Sequence, residues 1–214
     1  MKIQKFEVNP FQENTYVISD ETNEGIVVDC GVFYKEEREA LVRYVKDNKI
    51  TLKHLVATHA HIDHNFGNNT IFEEFGLKPE VYGADETLMQ KLAQQAMMFC
   101  NYRLDYEMPP VERYLHQGDT IAFGTHEFTV IPTPGHTPGS VFLYCKEENI
   151  AFSGDTLFRM SIGRTDFELG SFKDITESLS KLPSILLKDT IIYPGHGPKT
   201  TLEYELEYNP YLKF

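Results

Sequence analysis

A layered α/β fold with mixed sheets is what this chain predicts, and three observations predict it. Strand-like runs alternate with helix-like ones over most of its 214 residues. Strands also follow one another without an intervening helix, at the N-terminus and again between residues 120 and 155. Antiparallel neighbours must therefore share sheets with parallel ones. No Gly/Ser linker, charge block or low-complexity segment divides the sequence, so 1–214 reads as one domain.

The opening "MKIQKFEVNPFQENTYVI" has no long apolar run and reads as strand. "NTYVIS" and "GIVVDCG" form a hairpin about the turn "DETNEG". "KEEREALVRYVKDNK" is an amphipathic helix with Leu41, Tyr44, Val45 and Asn48 towards one face. "HLVATH" is a short buried strand, "NTIFEEF" a helix, and "EVYG" a further strand. "ADETLMQKLAQQAMMFCNYRL" has helical composition with Asp85 as its N-cap. "TIAF", "HEFTVIP", "SVFLYC" and "NIAFSGD" are the second run of strands. "SFKDITESLSKL" is a helix, "TIIYPGHG" a strand and loop, and "TTLEYELEY" the last helix.

The formal charge of −12 argues against nucleic-acid or anionic-membrane partners, which require a basic patch. No secretory signal or membrane span is present in the sequence. Cys30, Cys100 and Cys145 are scattered and odd in number. They form no disulfide framework and no CxxC site, and a reducing cytoplasm with buried thiols is expected.

The chemistry is concentrated in loops. "THAHIDHNFG" places His59, His61, Asp63 and His64 within six positions just after a strand. In a helix His59 and His61 would diverge, whereas in a tight loop all four side chains converge. One catalytic zinc takes three protein ligands and keeps a position open, so four donors in one run make sense if two neighbouring metals share them. The rest of the donor set is available downstream: His136 in "TPGHTPGS", Asp155 in "FSGDT" and His196 in "YPGHGP", each at a strand end. Three donors for each of two ions leave one carboxylate to bridge. His54, His116 and His126 have no such setting and read as ordinary surface or strand histidines. Nitrogen and oxygen donors suit zinc, iron and manganese alike; two divalent ions, zinc first among them, are the expected cofactors.

"THAHIDH", "TPGHTPGS", "SGDT" and "PGHGP" resemble the ordered motifs of the metallo-β-lactamase superfamily, and "IVVDCG" extends the match towards the N-terminus. The resemblance implies an αβ/βα sandwich of two mixed sheets with helices outside and metals at one sheet edge. It implies His59, His61 and His136 on the first metal, Asp63, His64 and His196 on the second, and Asp155 between them. Asp29 matches an early family aspartate that supports the loops. The implied reaction is hydrolysis by metal-activated water, with Asp63 and Asp155 as the catalytic carboxylates and Asp63 orienting the nucleophile or passing on its proton.

"DTLFRMSIGRTDFELGS" and the ending "PGHGPKTTLEYELEYNPYL" look most like the short glyoxalase II-like hydrolases, which implies a thioesterase acting on S-lactoylglutathione or a related acyl thioester. Two departures bear on glutathione. The separate C-terminal clamping domain of full-length glyoxalase II is not expected here, and the family's lysine and tyrosine after the aspartate read Arg164 and Asp166. Arg164 either meets a substrate carboxylate or braces its loop against Asp166. "GRTDF" also occurs in mono-iron persulfide dioxygenases of the superfamily, whose ligands correspond to His59, His136 and Asp155, although "PGHGP" departs from that branch. Lactonases share all seven donors. Most true β-lactamases of this fold lack an aspartate at position 155, which argues against antibiotic hydrolysis. The segment 86–115 carries Met89, Met97, Met98, Phe99, Tyr102 and Tyr106. It is either a packed helix or an adaptable apolar lid in which Met98 and Tyr102 touch substrate.

Overall fold

The computed structural model describes residues 1–213. Its first sheet joins β1 (Lys2–Val8), β2 (Glu13–Ser19), β3 (Glu24–Val28), β4 (Thr51–Ala57), β5 (Pro79–Tyr82) and β6 (Arg113–Leu115), neighbours in that order. The first three strands are antiparallel, and β3 to β6 run parallel. The second sheet begins with the meander β7 (Thr120–Phe123), β8 (His126–Pro132), β9 (Val141–Cys145) and β10 (Ile150–Gly154). A small hairpin of β11 (Leu157–Phe158) and β12 (Ser161–Ile162) follows. Strands β13 (Ile191–Pro194), parallel to β10, and β14 (Thr200–Thr201) complete the sheet. Both sheets are mixed, as the sequence predicts.

Period-two alternation explains why strands such as β2 are buried along their whole length. Tyr16 and Ile18 point into the space between the sheets, where they meet Phe128, Leu143 and Phe152. Val17, between them, faces the other way and packs with Leu41 and Val45 of α1 (Lys35–Asp47) and Ile71 of α2 (Asn68–Phe75). Short helices α3 (Glu86–Met89) and α4 (Leu92–Cys100) pack Leu88, Leu92 and Ala96 against Ala57 and Val81 of the same sheet. On the far side, α5 (Phe172–Ile185) and α6 (Leu202–Tyr208) cover Phe142, Tyr144 and Ala151 with Ile175, Leu179 and Leu202. Helix, sheet, sheet, helix is therefore the order of layers. Ser171 and Thr201 cap α5 and α6 through their hydroxyls.

Three expectations are corrected. Asn48 is the exposed C-cap of α1 and not part of its buried face. The helix expected over 84–104 is broken. The Leu88 carbonyl accepts from Lys91 N–H in a tighter turn and from the Gln95 side-chain amide, and Asn101 ends α4 in the left-handed region. Asp85 does not cap with its side chain; the carboxylate is used elsewhere. Strand β6 and the β11–β12 hairpin were not anticipated, being too short to show a period. Cys30 and Cys145 are buried free thiols and Cys100 is partly buried. No helix among the described residues is long and apolar enough to cross a membrane.

The two sheets are stitched at one edge by the first residues of β2. Asn14 N–H donates to the Gly195 carbonyl at 2.7 Å, and its side-chain amide donates to Pro194 and Gly197 carbonyls at 3.0 and 2.9 Å. Tyr16 Oη donates to Pro194 as well, at 2.7 Å. This edge is the one at which the parallel strands β3, β4, β10 and β13 end.

Candidate metal centre

Parallel strands that end together deliver their following loops to one place. Asp29 follows β3, the histidine run follows β4, Asp155 follows β10 and His196 follows β13; His136 enters from the turn between β8 and β9. After Ala57 the chain stays in a loop to His61 and then makes a single 3-10 turn, Ile62–His64. The seven predicted donors converge. The donor atoms of His59, His61 and His136 lie within 4.8 Å of one another, as do those of Asp63, His64 and His196. Asp155 stands between the triads. Its Oδ1 is 3.3 Å from His64 Nε2, and its Oδ2 is 3.6 Å from His136 Nε2 and 3.5 Å from His196 Nε2.

The ring orientations are set from behind. Carbonyl oxygens can only accept, so His136 Nδ1–H donates to Arg164 O at 2.8 Å and His196 Nδ1–H to Phe11 O at 3.0 Å. His64 Nδ1 meets Asp29 Oδ2 at 3.0 Å. Thr58 Oγ1 donates to the same Asp29 oxygen at 2.8 Å, which leaves it to accept from His59 Nδ1–H at 3.1 Å. Each of these four rings thus turns its Nε2 inward, the arrangement of a metal-ligating histidine. His61 differs: its Nδ1 faces His136 Nε2 at 2.8 Å, so a proton or a cation must lie between the two nitrogens. His59 Nε2, His64 Nε2 and Asp155 Oδ1 are buried with no hydrogen-bond partner. An unmet buried polar atom costs about 1–3 kcal/mol, and three of them aimed at one centre fit the divalent cations that this donor set suits.

Charge is distributed accordingly. Burial works to raise the Asp63 and Asp155 carboxyls, but His64 and its neighbours outweigh it and hold both below the usual carboxylate range. Burial, reinforced by the surrounding histidines, pushes His59 well down and His61 to about 3, so both are neutral donors. At His64 burial is overcome by Asp155, Asp63 and Asp29, which raise it well above an ordinary histidine. That proton occupies the ligating ring and must leave when metal binds. Metal loading is therefore expected to release protons, and affinity to fall as pH drops through the His64 range. Calorimetry of zinc binding in buffers of different ionisation heat measures the proton count; a count of zero at pH 7 would contradict this.

Asp29 is placed as the loop support that the sequence suggests, and further supports join it. Asp29 lies in the left-handed region at φ 50° and its Oδ1 accepts from Thr58 N–H at 2.7 Å, so it holds the histidine loop as well as His64. Buried Asp85 accepts from Ala60 N–H and Thr137 Oγ1 at 2.8 Å each and from Gly139 N–H at 2.6 Å. It ties the His59–His64 loop to the His136 turn. Gln95 accepts from Ile62 N–H at 3.0 Å and donates to Ala60 O at 2.9 Å. Asn65 donates to His61 O at 2.6 Å. Glu13 is fully buried behind His64. Its carboxyl is raised by burial more than His64 lowers it. None of these residues carries a spacing signal; only the polar density of "NPFQENT" hints at Glu13. Both "PGH" glycines are required by close approach. Gly135 has φ 140° and a Cβ there would strike the backbone of Ile175, while one on Gly195 would strike Asp155 and His64. Asp85→Ala leaves three buried donors unmet and is expected to cost about 3 kcal/mol or more of stability. Urea unfolding measures it, and a loss below about 1 kcal/mol would show that water replaces the carboxylate.

A cleft of about 510 Å³ opens onto His61, Asp63, His136, Asp155 and His196. Arg164 lines it and is braced as well: Nε and Nη2 each lie 2.7 Å from Asp166, and the guanidinium stacks 3.9 Å over Phe167. The other two candidate substrate residues are displaced. Tyr102 does not line the cleft and packs edge-on against Phe33, with centroids 4.8 Å apart. Met98, 74 % exposed, lines only a smaller side pocket that shares His61, Phe99 and Phe167 with the cleft. The break in the helix turns Phe99, one residue on, into the cleft wall, where it packs on Phe167 at 5.2 Å. Met89 is core and Tyr106 donates to Phe66 O, so segment 86–115 contributes one wall residue to the main cleft. His54, His116 and His126 stay outside the cleft.

The model of the Metallo-beta-lactamase superfamily matches residues 8–196. The chain belongs to that superfamily. As a superfamily member it is a metal-dependent hydrolase by fold and donor set, built on the expected αβ/βα sandwich. It is 33 % identical to the hydroxyacylglutathione hydrolase GloC of Haemophilus influenzae, over 99 % of this chain and 98 % of that one. Among solved structures it resembles BLEG-1, a B3 metallo-beta-lactamase, at 29 % identity and a TM-score of 0.89 with both chains fully covered. TTHA1623, solved in a di-iron-bound form, is 32 % identical with a TM-score of 0.85, covering 98 % of this chain and all of that one.

Proposed function

We propose that this superfamily member is a two-metal thioesterase that cleaves S-lactoylglutathione or a related acyl thioester. The observation that carries the reading is the pair of three-donor sets meeting on Asp155. It is supported by end-to-end similarity, at 33 % identity, to a hydroxyacylglutathione hydrolase. His59, His61 and His136 would hold one ion, Asp63, His64 and His196 the other, and Asp155 both. When bound, two divalent ions lower the pKa of water and supply positive charge to a developing oxyanion.

The chain's own groups do the rest. Asp63, an anion at neutral pH, faces the cleft with Oδ2 3.3 Å from His196 Nε2. A carboxylate there orients the attacking water and accepts its proton. Water oxygen adds to the thioester carbonyl carbon, the carbon–sulfur bond breaks, and the thiolate leaves, so neither serine nor cysteine is needed as a nucleophile. Apolar cleft walls limit bulk water at the reacting carbon.

A single-iron persulfide dioxygenase needs only the positions of His59, His136 and Asp155; four further donors converged on the same centre favour hydrolysis. Likeness to BLEG-1 adds a β-lactam to the substrates to be assayed, against the expectation drawn from Asp155. The test is metal content of the purified protein with a panel of S-lactoylglutathione, neutral acyl thioesters, homoserine lactones, a cephalosporin, and glutathione persulfide under an oxygen electrode. Near two metals per chain with thioester turnover dominant is expected. Oxygen uptake on the persulfide without thioester cleavage overturns the proposal.

A further inference from the structure

The walls of the cleft say what sits beside the scissile bond. Apart from the metal donors, they are Phe11, Ile62, Phe99, Phe158, Ile162 and Phe167, with Ser161 and Arg164 as the polar exceptions. Arg164 is already committed, with two nitrogens on Asp166 and its face on Phe167. Lys91, the cation of the adjoining side pocket, is paired with Glu168 at 3.3 Å. Among the described residues no unpaired cation lines the cleft or that side pocket, and the rim carries Asp166 and Glu168. Arg159 and Lys199 line a different pocket beside Tyr204.

A site that selects glutathione must meet its two carboxylates and its amide groups with fixed donors, and a site lacking such donors leaves them desolvated and unpaired. Around this cleft the described residues offer only Ser161 and the Asp166-paired Arg164, while Asp166 and Glu168 stand at the rim. Large apolar side chains remain accessible instead: Phe11 is 41 % and Phe99 39 % exposed. Apolar walls with few convergent polar groups bind ligands by area.

The geometry points to an apolar acyl group, aliphatic or aromatic, as the part of the substrate held against Phe99, Phe158 and Phe167, with specificity set by those rings and not by recognition of glutathione. This deepens the thioesterase reading and rests on it. The test uses the metal-loaded full chain and N-acetylcysteamine thioesters of acetyl, butyryl, hexanoyl and benzoyl groups beside S-lactoylglutathione. In the wild type kcat/KM is expected to rise about threefold to fourfold per added methylene until the cleft is filled. Benzoyl should exceed acetyl by at least tenfold. Phe99→Ala and Phe158→Ala should each lower the hexanoyl-to-acetyl ratio by about tenfold; both side chains are partly exposed, so folding is not at stake. A flat series, or S-lactoylglutathione preferred over the hexanoyl thioester, overturns the inference while leaving thioesterase activity intact. If no thioester turns over but lactones do, the thioesterase reading fails. The same chain-length series on acyl-homoserine lactones then decides the apolar wall separately, a rising series supporting it and a flat one ending it.

Discussion

Asp155→Ala is expected to lower hydrolysis by about a thousandfold or more and to leave the protein unable to hold two metals at once. Asp155 is the carboxylate that approaches histidines of both triads, His64 at 3.3 Å, His196 at 3.5 Å and His136 at 3.6 Å. Without it, five imidazoles and Asp63 would have to offset two dications alone. Cation–cation repulsion at short range in a buried site is severe, and the weaker-held ion should dissociate. Elemental analysis after gel filtration and kcat/KM on the preferred substrate read the two effects together. Two retained metals with activity within tenfold of wild type would remove Asp155 from the bridging role.

A second large effect is expected from a residue that touches no metal. Asp29→Asn preserves size and tolerates the left-handed backbone at φ 50°. Oδ1 still accepts from Thr58 N–H, but an amide NH2 then replaces the oxygen that meets His64 Nδ1 and Thr58 Oγ1. Two donors would face each other unless His64 shifts its proton to Nε2, the nitrogen that must ligate. A wrong tautomer with correct geometry should weaken the second metal by about 10-fold to 100-fold, with little change in the first. Competition with a chromophoric chelator resolves two affinities, and equal weakening at both sites would refute the tautomer account. Far-UV circular dichroism should be unchanged.

How much of this was legible in the sequence follows from the range of the forces involved. The donors could be read because ligation demands particular atoms at strand ends, and "HAHIDH" and the two "PGH" turns announce them. Strands with helix on one face and sheet on the other read as continuous apolar runs, so the layers were also visible. Met98 and Tyr102 fall outside the main cleft because α4 begins only at Leu92 and because Tyr102, past the left-handed Asn101, turns onto Phe33, and neither feature is set by the local pattern. Neighbouring side chains on a helix point about 100° apart, so Phe99 reaches the main cleft and Met98 does not. Asp85 reads as an N-cap because aspartate is favoured there; nothing local says that its carboxylate spans to Gly139.

The seam between Asn14 and the loop of His196 has a consequence for how the enzyme is made. His196 takes its orientation from the Phe11 carbonyl, 185 positions earlier in the chain. During synthesis, residues 9–16 are made long before their partners at 194–197 exist. Three donors for the first ion lie within residues 59–136, so that ion can find its ligands while synthesis is still under way. In the proposed two-metal arrangement the second ion could not, and its capture would mark the moment at which residues 9–16 and 194–197 have closed on each other.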